Sequence, residues 1–448
     1  MKASALKYTV LSLAATLAII IIALVPFHAF LTVSLSDFFG HYTQLRLWKE
    51  ALLVIMGIAV VYLLLTDHKI RTHTLTRRLV WLVVAYAGLH LLTGFLALRS
   101  DEVTLKATLY GILVNLRFLA FFFLVWAVAL RTNRLQAHWQ KLLIWPAVAV
   151  VLFGLLQVSV LPTNFLSNFG YSVTTIEPSE TVNSNDDYVR ISSTLRGPNP
   201  LGAYLIIPCV ALLVLLLQAK KKWRLAALLA SALLVLAASF SRSGAVGALI
   251  GLVLAFGLSL RTGLAKKYVA GFGVGLIVLL AIGAAVVPKN SQLENIVFHT
   301  DSDSAVAESS NDQRAEALRS GVVDIRDQPL GEGPGSAGPA SVYNANRVEI
   351  SENYFLQIGQ EVGVIGLLLF ILINAGVGYL LWLRRADPLA MILFASLVGI
   401  TFVNMVSHAW TDDTLAYVWW GLAGIAMARL PLEAKPLESV LEPKADAK

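Results

Sequence analysis

Charged residues are scarce in this chain. Asp, Glu, Lys and Arg make up 14% of its 448 residues, whereas hydrophobic residues make up 57%. Soluble domains carry about 25% charged residues, so the composition excludes an ordinary soluble protein. The weak alternation over about ten residues that marks a membrane β-barrel strand is also absent. Apolar runs of about 20 residues recur instead, each long enough for a bilayer-spanning α-helix. The sequence therefore predicts an all-α, polytopic membrane protein.

Cysteine is nearly absent as well. Cys209 is the only cysteine and lies in an apolar run, which excludes an intramolecular disulfide and indicates no redox role. The net charge of +7 is interpreted through its distribution over the turns, since basic residues mark orientation in membrane proteins. We expect neither a cofactor nor a nucleic-acid partner.

Twelve apolar runs predict about 12 transmembrane helices. The N-terminal run has an apolar core too long for a signal peptide and no small-x-small cleavage site after it, so it is the first predicted span. Residues 431–448 are polar and predict a disordered cytoplasmic tail, which leaves residues 1–430 as the membrane domain. The twelve runs lie near 8–30, 50–66, 79–97, 105–130, 142–160, 199–218, 225–240, 244–260, 268–287, 353–383, 387–406 and 414–430.

Basic residues occur in every second turn between the predicted spans. Because lysine and arginine favour the cytoplasmic side, this bias predicts that both termini are cytoplasmic. It also places two long loops, about 161–198 and 288–352, at the periplasmic face, and the second is expected to be partly helical. Long loops at one face usually carry function or disorder. The basic turns contain Lys69, Arg71, Arg77 and Arg78; Arg131, Arg134 and Lys141; Lys220, Lys221, Lys222 and Arg224; Arg261, Lys266 and Lys267; and Arg384 and Arg385.

The first long loop ends in YVRISSTLRGPNPLG, where Arg190 and Arg196 flank a Ser/Thr-rich segment. Pro198 and Pro200 favour an extended chain here, because the residue before a proline avoids the α region. This pattern is typical of a cradle for phosphate or sugar. It is equally typical of arginines that reach lipid headgroups, and both interpretations remain open.

Two further arginines lie where an unpaired charge is costly. Arg242 lies in the tight turn SFSRSG between two spans, and its planar guanidinium suits phosphate oxygens; the alternative is a helix-end anchor. Arg117 lies inside the fourth span and is expected to face the bundle interior. Arg117 either holds a carboxylate structurally or reaches toward a lipid diphosphate, and the structural role is the favoured interpretation.

The second long loop contains a predicted helix followed by a glycine-proline turn. Ser310 and Gln313 fit a capping box, which puts Arg314 in the first helical turn. A cation is electrostatically disfavoured at that position, which hints at a nearby anion. The run QPLGEGPG predicts tight turns. Its glycines alone are weak evidence for phosphate binding, since no strand precedes them and no Lys-Ser/Thr pair follows.

The tenth span is expected to begin at Ser351 as its cap, with Glu352 and Asn353 in the first turn. Glu352 either complements the helix dipole or acts as a general base that depends on positioning. Glycines on one face of this expected helix should allow close packing with a neighbour. They are Gly359, Gly363 and Gly366.

Two other polar clusters have competing interpretations. His299, Asp301 and Asp303 resemble a divalent-metal site, but a solvated charge run is favoured in this polar loop, and no metal is predicted. His408 and Asp412 are four positions apart and fit a pair on one helix face. An interfacial aromatic belt also explains the nearby Trp410.

In their order along the chain, these features resemble the O-antigen ligase and O-antigen polymerase superfamily, membrane glycosyltransferases of the GT-C class. The similarity covers a core of about residues 188–410. The matching segments are Arg190 with Thr194 and Asn199-Pro200; the turn Ser241-Arg242-Ser-Gly; Arg314 and the run from Gln328 to Gly335; Asn353-Tyr-Phe-Leu-Gln-Ile; and Glu361-Val-Gly-Val-Ile-Gly366.

The resemblance implies transfer of a glycan from an undecaprenyl-diphosphate carrier to an acceptor sugar, at the periplasmic face of a bacterial inner membrane. In that family an arginine clamp rather than a metal binds the diphosphate, which assigns this role to Arg190, Arg242 and Arg314. The catalytic set is then Glu352, Arg242 and Arg314. Supporting residues are Arg117, Arg196, Asn353, His408 and Asp412.

The family's ligases carry a histidine as base just before the asparagine, where this chain has Glu352. This difference favours an inverting, metal-independent polymerase of lipid-linked O-antigen or exopolysaccharide repeat units. A ligase that transfers glycan to lipid A-core or another acceptor is the alternative. The implied partners are the lipid-linked donor, a glycan acceptor, membrane lipid and a chain-length regulator. From a different class, a transporter of lipid-linked or anionic solutes remains open, although the sequence shows no repeated halves.

Overall fold

The computed structural model describes residues 2–182, 185–261, 310–344 and 348–429. The expected all-α membrane architecture is confirmed. In the described ranges, nine helices are long and apolar enough to cross a membrane. They are Ala5–Phe39, Tyr42–Thr66, Arg78–Arg99, Leu105–Ala129, Asn133–Ser159, Pro198–Gln218, Arg242–Arg261, Tyr354–Leu383 and Pro388–Met405.

Of the other three predicted spans, two are shorter than expected and one lies outside the described residues. Trp223–Ala238, with 16 residues, and Asp413–Met427, with 15, coincide with the seventh and twelfth predicted spans but are too short to count as full spans. The ninth, 268–287, lies outside the described residues, as do the predicted metal-like residues His299, Asp301 and Asp303 and the tail.

The helices are numbered here in chain order. Besides helices, the described residues contain one two-stranded antiparallel sheet in the first long loop. Short 3-10 turns lie at Val25–Phe27, Phe165–Phe169, Gly338–Tyr343 and Ala409–Thr411. The elements are α1 (Lys2–Leu24), α2 (His28–Phe39), α3 (Tyr42–Leu45), α4 (Trp48–Thr66), α5 (His68–Leu75), α6 (Arg78–Arg99), α7 (Leu105–Ala129), α8 (Asn133–Ser159), β1 (Glu180–Val182), β2 (Asn185–Arg190), α9 (Pro198–Gln218), α10 (Trp223–Ala238), α11 (Arg242–Arg261), α12 (Ser310–Asp327), α13 (Tyr354–Leu383), α14 (Pro388–Met405) and α15 (Asp413–Met427).

Helices α7, α9 and α15 form the centre of the bundle. All three are apolar around most of their circumference, as expected for helices that are covered on all sides, and α15 is buried over nearly its whole length. Small residues let their neighbours approach closely. A Cβ added at Gly244 would lie 2.6 Å from the backbone carbon of Gly202, so α9 and α11 meet backbone to backbone.

Helix α13 is broken near its beginning. Val362 and Gly363 have non-helical dihedrals, and Gly363 has φ 71° and ψ −176°. The first segment folds back on the second, since the rings of Tyr354 and Phe370 are 5.3 Å apart; a straight helix would separate these residues by about 24 Å. The expectation that Gly359, Gly363 and Gly366 share one helix face is therefore wrong, because the helix reverses at the middle glycine.

The glycine-proline run 328–335 docks at this break. The amides of Glu332 and Gly333 donate to the carbonyls of Gln360 and Glu361, both at 2.8 Å, and the amide of Val364 donates to the carbonyl of Pro329 at 2.9 Å. Backbone groups freed by a helix break must find partners within the protein. The run thus supplies hydrogen-bond partners for the backbone groups freed at the break. Its glycines permit this close approach, because a Cβ at Gly331 would collide with the backbone of Gly363.

We expect Gly363→Ala to destabilise the protein by about 1–3 kcal/mol, since its dihedrals are essentially confined to glycine. A Cβ there would also lie 2.4 Å from the carbonyl oxygen of Pro329. Thermal unfolding in detergent measures the effect. Gly376→Ala in the same helix is the matched control, because its Cβ would contact only Leu79 at 3.5 Å. Equal melting temperatures for the two variants would contradict the prediction.

Candidate functional site

Four helices begin at one polar pocket of about 200 Å³. The starts of α9 and α11, the residue that caps α15 and the loop just before α13 form its walls. Residues of the turn between α14 and α15 complete it. The lining residues are Glu180, Arg196, Gly197, Asn199, Pro200, Ala203, Ser243, Glu352, Val403, Ser407, His408, Ala409 and Asp412.

Local sequence explains why each helix starts there. Pro198 is in the first turn of α9, where a missing amide costs nothing. Ser241 Oγ accepts the amide of Gly244 at 3.3 Å at the start of α11. Asn353 and Asp412 cap α13 and α15, each accepting two amides. A helix N-terminus carries about half a positive charge, so four of them around one cavity favour an anionic ligand.

Three residues just before these helices have strained backbones. Ser193, Phe240 and Glu352 have φ of 51°, 49° and 49°. Residues other than glycine seldom adopt this left-handed conformation, and where it persists it clusters at functional sites. Of these three residues, Glu352 lines the pocket and Phe240 lines the cavity next to it. Ser193 is buried and binds Gln157 and the carbonyl of Val150 in α8.

Arg190 lies behind the pocket wall rather than inside the pocket. Its Nη2 donates to Asn199 Oδ1 at 2.7 Å, its Nε donates to the carbonyl of Ser239 at 3.1 Å, and its Nη1 is 3.5 Å from Glu180 Oε2. Arg190 thereby joins β2, the α10–α11 turn and the start of α9. Partial burial raises the pKa of Glu180, and the charge of Arg190 opposes that rise.

Arg196 lines the pocket, with half of its side chain exposed, and its Nε donates to Asp412 Oδ2 at 2.8 Å. Arg242 is next to the pocket residue Ser243, but it lines a neighbouring cavity between α10 and α11. Arg314 lies in the first turn of α12, which begins at Ser310 as expected. The structure does not describe its side chain.

Glu352 lines the pocket, and the cap of α13 is Asn353, not the expected Ser351. Asn353 Oδ1 accepts the amides of Phe355 and Leu356, and its Nδ2 donates to the carbonyl of Met405 at 2.9 Å. Ser351 Oγ instead donates to Gln360 Oε1 at 2.6 Å. The left-handed backbone at Glu352 turns the chain, so that helical geometry starts only after Asn353.

His408 and Asp412 both line the pocket, but the expected pair on a helix face is wrong. A 3-10 turn, Ala409–Thr411, separates them, because Asp412 caps the following helix through Oδ1 and pairs with Arg196 through Oδ2. Burial, together with the nearby charge of Arg196, lowers the pKa of His408 to about 4. Its imidazole is therefore neutral at pH 7.

Residues 226–371 match the family model described as O-antigen ligase (Wzy_C). This third of the chain is thus similar to an O-antigen ligase domain. No curated protein matches the chain significantly. The matched segment contains Arg242, Arg314 and Glu352. Arg190, Arg196 and the turn from His408 to Asp412 come from outside it, so the pocket needs more of the chain than the matched domain.

Arg117 has the structural role that was favoured for it. Its Nη1 is 3.1 Å from Glu50 Oε1, and its Nη2 pairs with Asp413 Oδ1. The same Nη2 donates to the carbonyl of Thr411 at 2.9 Å. Through this hydrogen bond Arg117 holds the turn that contains His408 and Asp412.

The partners of Arg117 were missed by sequence reasoning. Lys49 Nζ is 3.1 Å from Glu50 Oε2 and 3.2 Å from Asp413 Oδ2, which completes a buried cluster of two cations and two carboxylates. His28 Nε2 lies 3.4 Å from Asp413 Oδ2. The sequence offered one signal for this cluster. Lys49 and Glu50 stand at the start of one apolar run and Asp413 at the start of another, and charges within spans require partners.

Glu361 was also missed as a structural residue. It is fully buried, its Oε1 accepts the amide of Gly335 at 2.9 Å, and its Oε2 accepts a hydrogen bond from Asn115. Glu361 thus fastens the glycine-proline run to α7 and does not line the pocket. Across the described ranges no group of three His, Cys, Asp or Glu residues is arranged to hold a metal ion, and Cys209 is buried among apolar residues.

Proposed function

We propose that this protein is a glycosyltransferase that moves a glycan from an undecaprenyl-diphosphate carrier to an acceptor sugar. An O-antigen ligase domain implies lipid-linked glycan substrates in general. The observation that carries the finer proposal is the convergence of four helix N-termini on a polar pocket flanked by Arg190, Arg196 and Arg242. Amide dipoles and guanidinium groups together suit a diphosphate.

The chemistry is a single inverting displacement. The acceptor hydroxyl oxygen attacks the anomeric carbon of the donor sugar, the bond from that carbon to the diphosphate oxygen breaks, and the hydroxyl proton passes to the Glu352 carboxylate. Negative charge grows on the leaving diphosphate, where preorganised cations and helix N-termini stabilise it most effectively. Arg242 and Arg314 hold the diphosphate, Arg190 positions the start of α9 and the α10–α11 turn beside it, and no metal is required. The neutral His408 and Asn353 orient the sugars.

Glu352 at the family's histidine position favours a polymerase of repeat units for O-antigen or exopolysaccharide, with a ligase as the alternative. The pocket then faces the periplasm, and both termini are cytoplasmic. The partners are a lipid-linked donor, a glycan acceptor and a chain-length regulator. One observation favours a transporter: broken helices such as α13 occur in transporters. An assay with a radiolabelled lipid-linked repeat unit separates these functions.

Purified protein in lipid nanodiscs is incubated with a radiolabelled lipid-linked repeat unit, and the products are separated by size. A polymerase yields longer glycans, and a ligase transfers glycan only when an acceptor such as lipid A-core is added. Equal activity in excess chelator is expected. If neither product forms while vesicles containing the protein move labelled lipid across the bilayer, the protein is a transporter and the proposal is wrong.

Arg242→Ala is expected to lower the transfer rate by about 10²–10³-fold, the usual cost of one lost donor to a developing anion. Arg314→Ala should show a comparable loss, and Arg190→Ala should slow transfer indirectly, because it frees Asn199 and the Ser239 carbonyl at the pocket wall. Initial rates in the nanodisc assay measure them, with membrane insertion checked by immunoblot. Arg224→Ala at the start of α10 is the matched control, since its guanidinium lies over the ring of Trp223 and Arg224 lines neither the pocket nor the α10/α11 cavity. A wild-type transfer rate in Arg242→Ala would show that Arg242 does not bind the diphosphate.

A further inference from the structure

A second cavity opens beside the polar pocket, between the end of α10 and the start of α11. Its volume is about 380 Å³, within the range of ligand sites. Among the described residues that line it, Arg242 and Ser241 are the polar ones. The remaining lining residues are Leu236, Ala237, Phe240, Ala245 and Val246.

This cavity adjoins the pocket through consecutive residues of α11. Arg242 lines the cavity, and Ser243 lines the pocket. Within the part of the chain that the structure describes, Ala237, Ala245 and Val246 are exposed beside two apolar helices, and we therefore take this cavity to open toward lipid. A ligand that fits both sites needs an apolar chain in the cavity, an anionic group at Arg242 and a polar group in the pocket.

A glycan linked to a polyprenyl diphosphate has these three parts in this order. We propose that the α10/α11 cavity receives the first isoprenoid units of the carrier, so that the donor reaches the pocket sideways from the membrane between α10 and α11. This inference rests on the proposed function. The guanidinium then lies where the lipid chain joins the diphosphate, and the tail remains in the bilayer during transfer.

A larger groove of about 570 Å³ between α13 and α14 is the competing position for the tail. It reaches the pocket by Asn353 and Met405, next to Glu352 and Ser407. None of its described lining residues is charged, however, whereas the α10/α11 cavity is lined by Arg242. The cavity at Arg242 combines an apolar wall with a cation, which is why we place the donor tail there.

The first test needs no catalysis. A sugar-free polyprenyl diphosphate with a photoreactive diazirine in its first isoprenoid units is irradiated with the wild-type protein in nanodiscs, and labelled peptides are mapped by mass spectrometry. Label in residues 236–246 is expected. Label confined to α13 and α14, label in neither groove, or complete competition by excess phosphatidylglycerol each overturns the inference. Correct labelling without glycan transfer would instead reject the proposed function alone.

The second test fills each groove. Ala245→Trp should raise KM for the long-chain donor at least about tenfold, or 1.4 kcal/mol, with little change in kcat. A donor analogue with only two isoprenoid units should be affected much less, since its tail occupies less of the cavity. Ala375→Trp, an equally exposed alanine in the α13/α14 groove, is the matched control. A large effect of Ala375→Trp with none from Ala245→Trp places the tail in the other groove.

Discussion

Glu352→Gln is expected to slow glycan transfer by about 10²–10⁴-fold, the usual contribution of a positioned general base. Glutamine keeps the size and hydrogen-bonding reach of the side chain but cannot accept the hydroxyl proton. Glu352 lines the polar pocket, and its backbone has φ 49°, a conformation that glutamate seldom adopts. We infer that this bend is retained because it directs the carboxylate toward the acceptor.

The backbone and the carboxylate can be tested separately. Glu352→Gly should also be inactive, but it should melt at or above the wild-type temperature, because glycine adopts this φ without strain. Initial transfer rates and thermal unfolding in detergent supply both measurements. If Glu352→Gln keeps the wild-type rate and His408→Gln loses it, the neutral imidazole of His408 is the proton acceptor and our assignment of Glu352 is wrong.

Asp413→Ala is expected to destabilise the bundle by about 3–5 kcal/mol, since removing one partner leaves buried charge uncompensated. Asp413 pairs with Arg117 and lies 3.2 Å from Lys49 Nζ. In the variant these two cations share only Glu50. The turn from His408 to Asp412 should loosen too, because Arg117 also holds the carbonyl of Thr411.

A charge-balanced variant provides the control for this cluster. Lys49→Met combined with Asp413→Leu removes one charge of each sign and leaves Arg117 with Glu50. We expect it to recover most of the lost stability, because apolar replacement of a buried pair is often neutral. Melting temperatures in detergent measure both variants. A double variant as unstable as Asp413→Ala would mean that shape, and not charge, is what Asp413 supplies.

Several features of the site were readable from residue types. Arginines in tight turns or within spans need anionic partners or ligands, and this rule singled out Arg117 and Arg242. Arg190 and Arg196 were singled out because they flank a Ser/Thr-rich segment. The carboxylates that bind Arg117 were not foreseen, since Glu50 and Asp413 come from spans far apart in sequence. The cap of α13 was predicted two residues too early, because no sequence pattern predicts the left-handed backbone conformation of Glu352.

The amino-acid sequence by itself determined the membrane class and the positions of most helices, because a bilayer of fixed thickness demands long apolar runs and excludes charge from them. Only the tertiary structure decided that α13 reverses at Gly363 and that four helix N-termini meet at one pocket. Those outcomes depend on the packing of distant segments, such as the glycine-proline run against the break in α13. Local propensity contains no information about such partners.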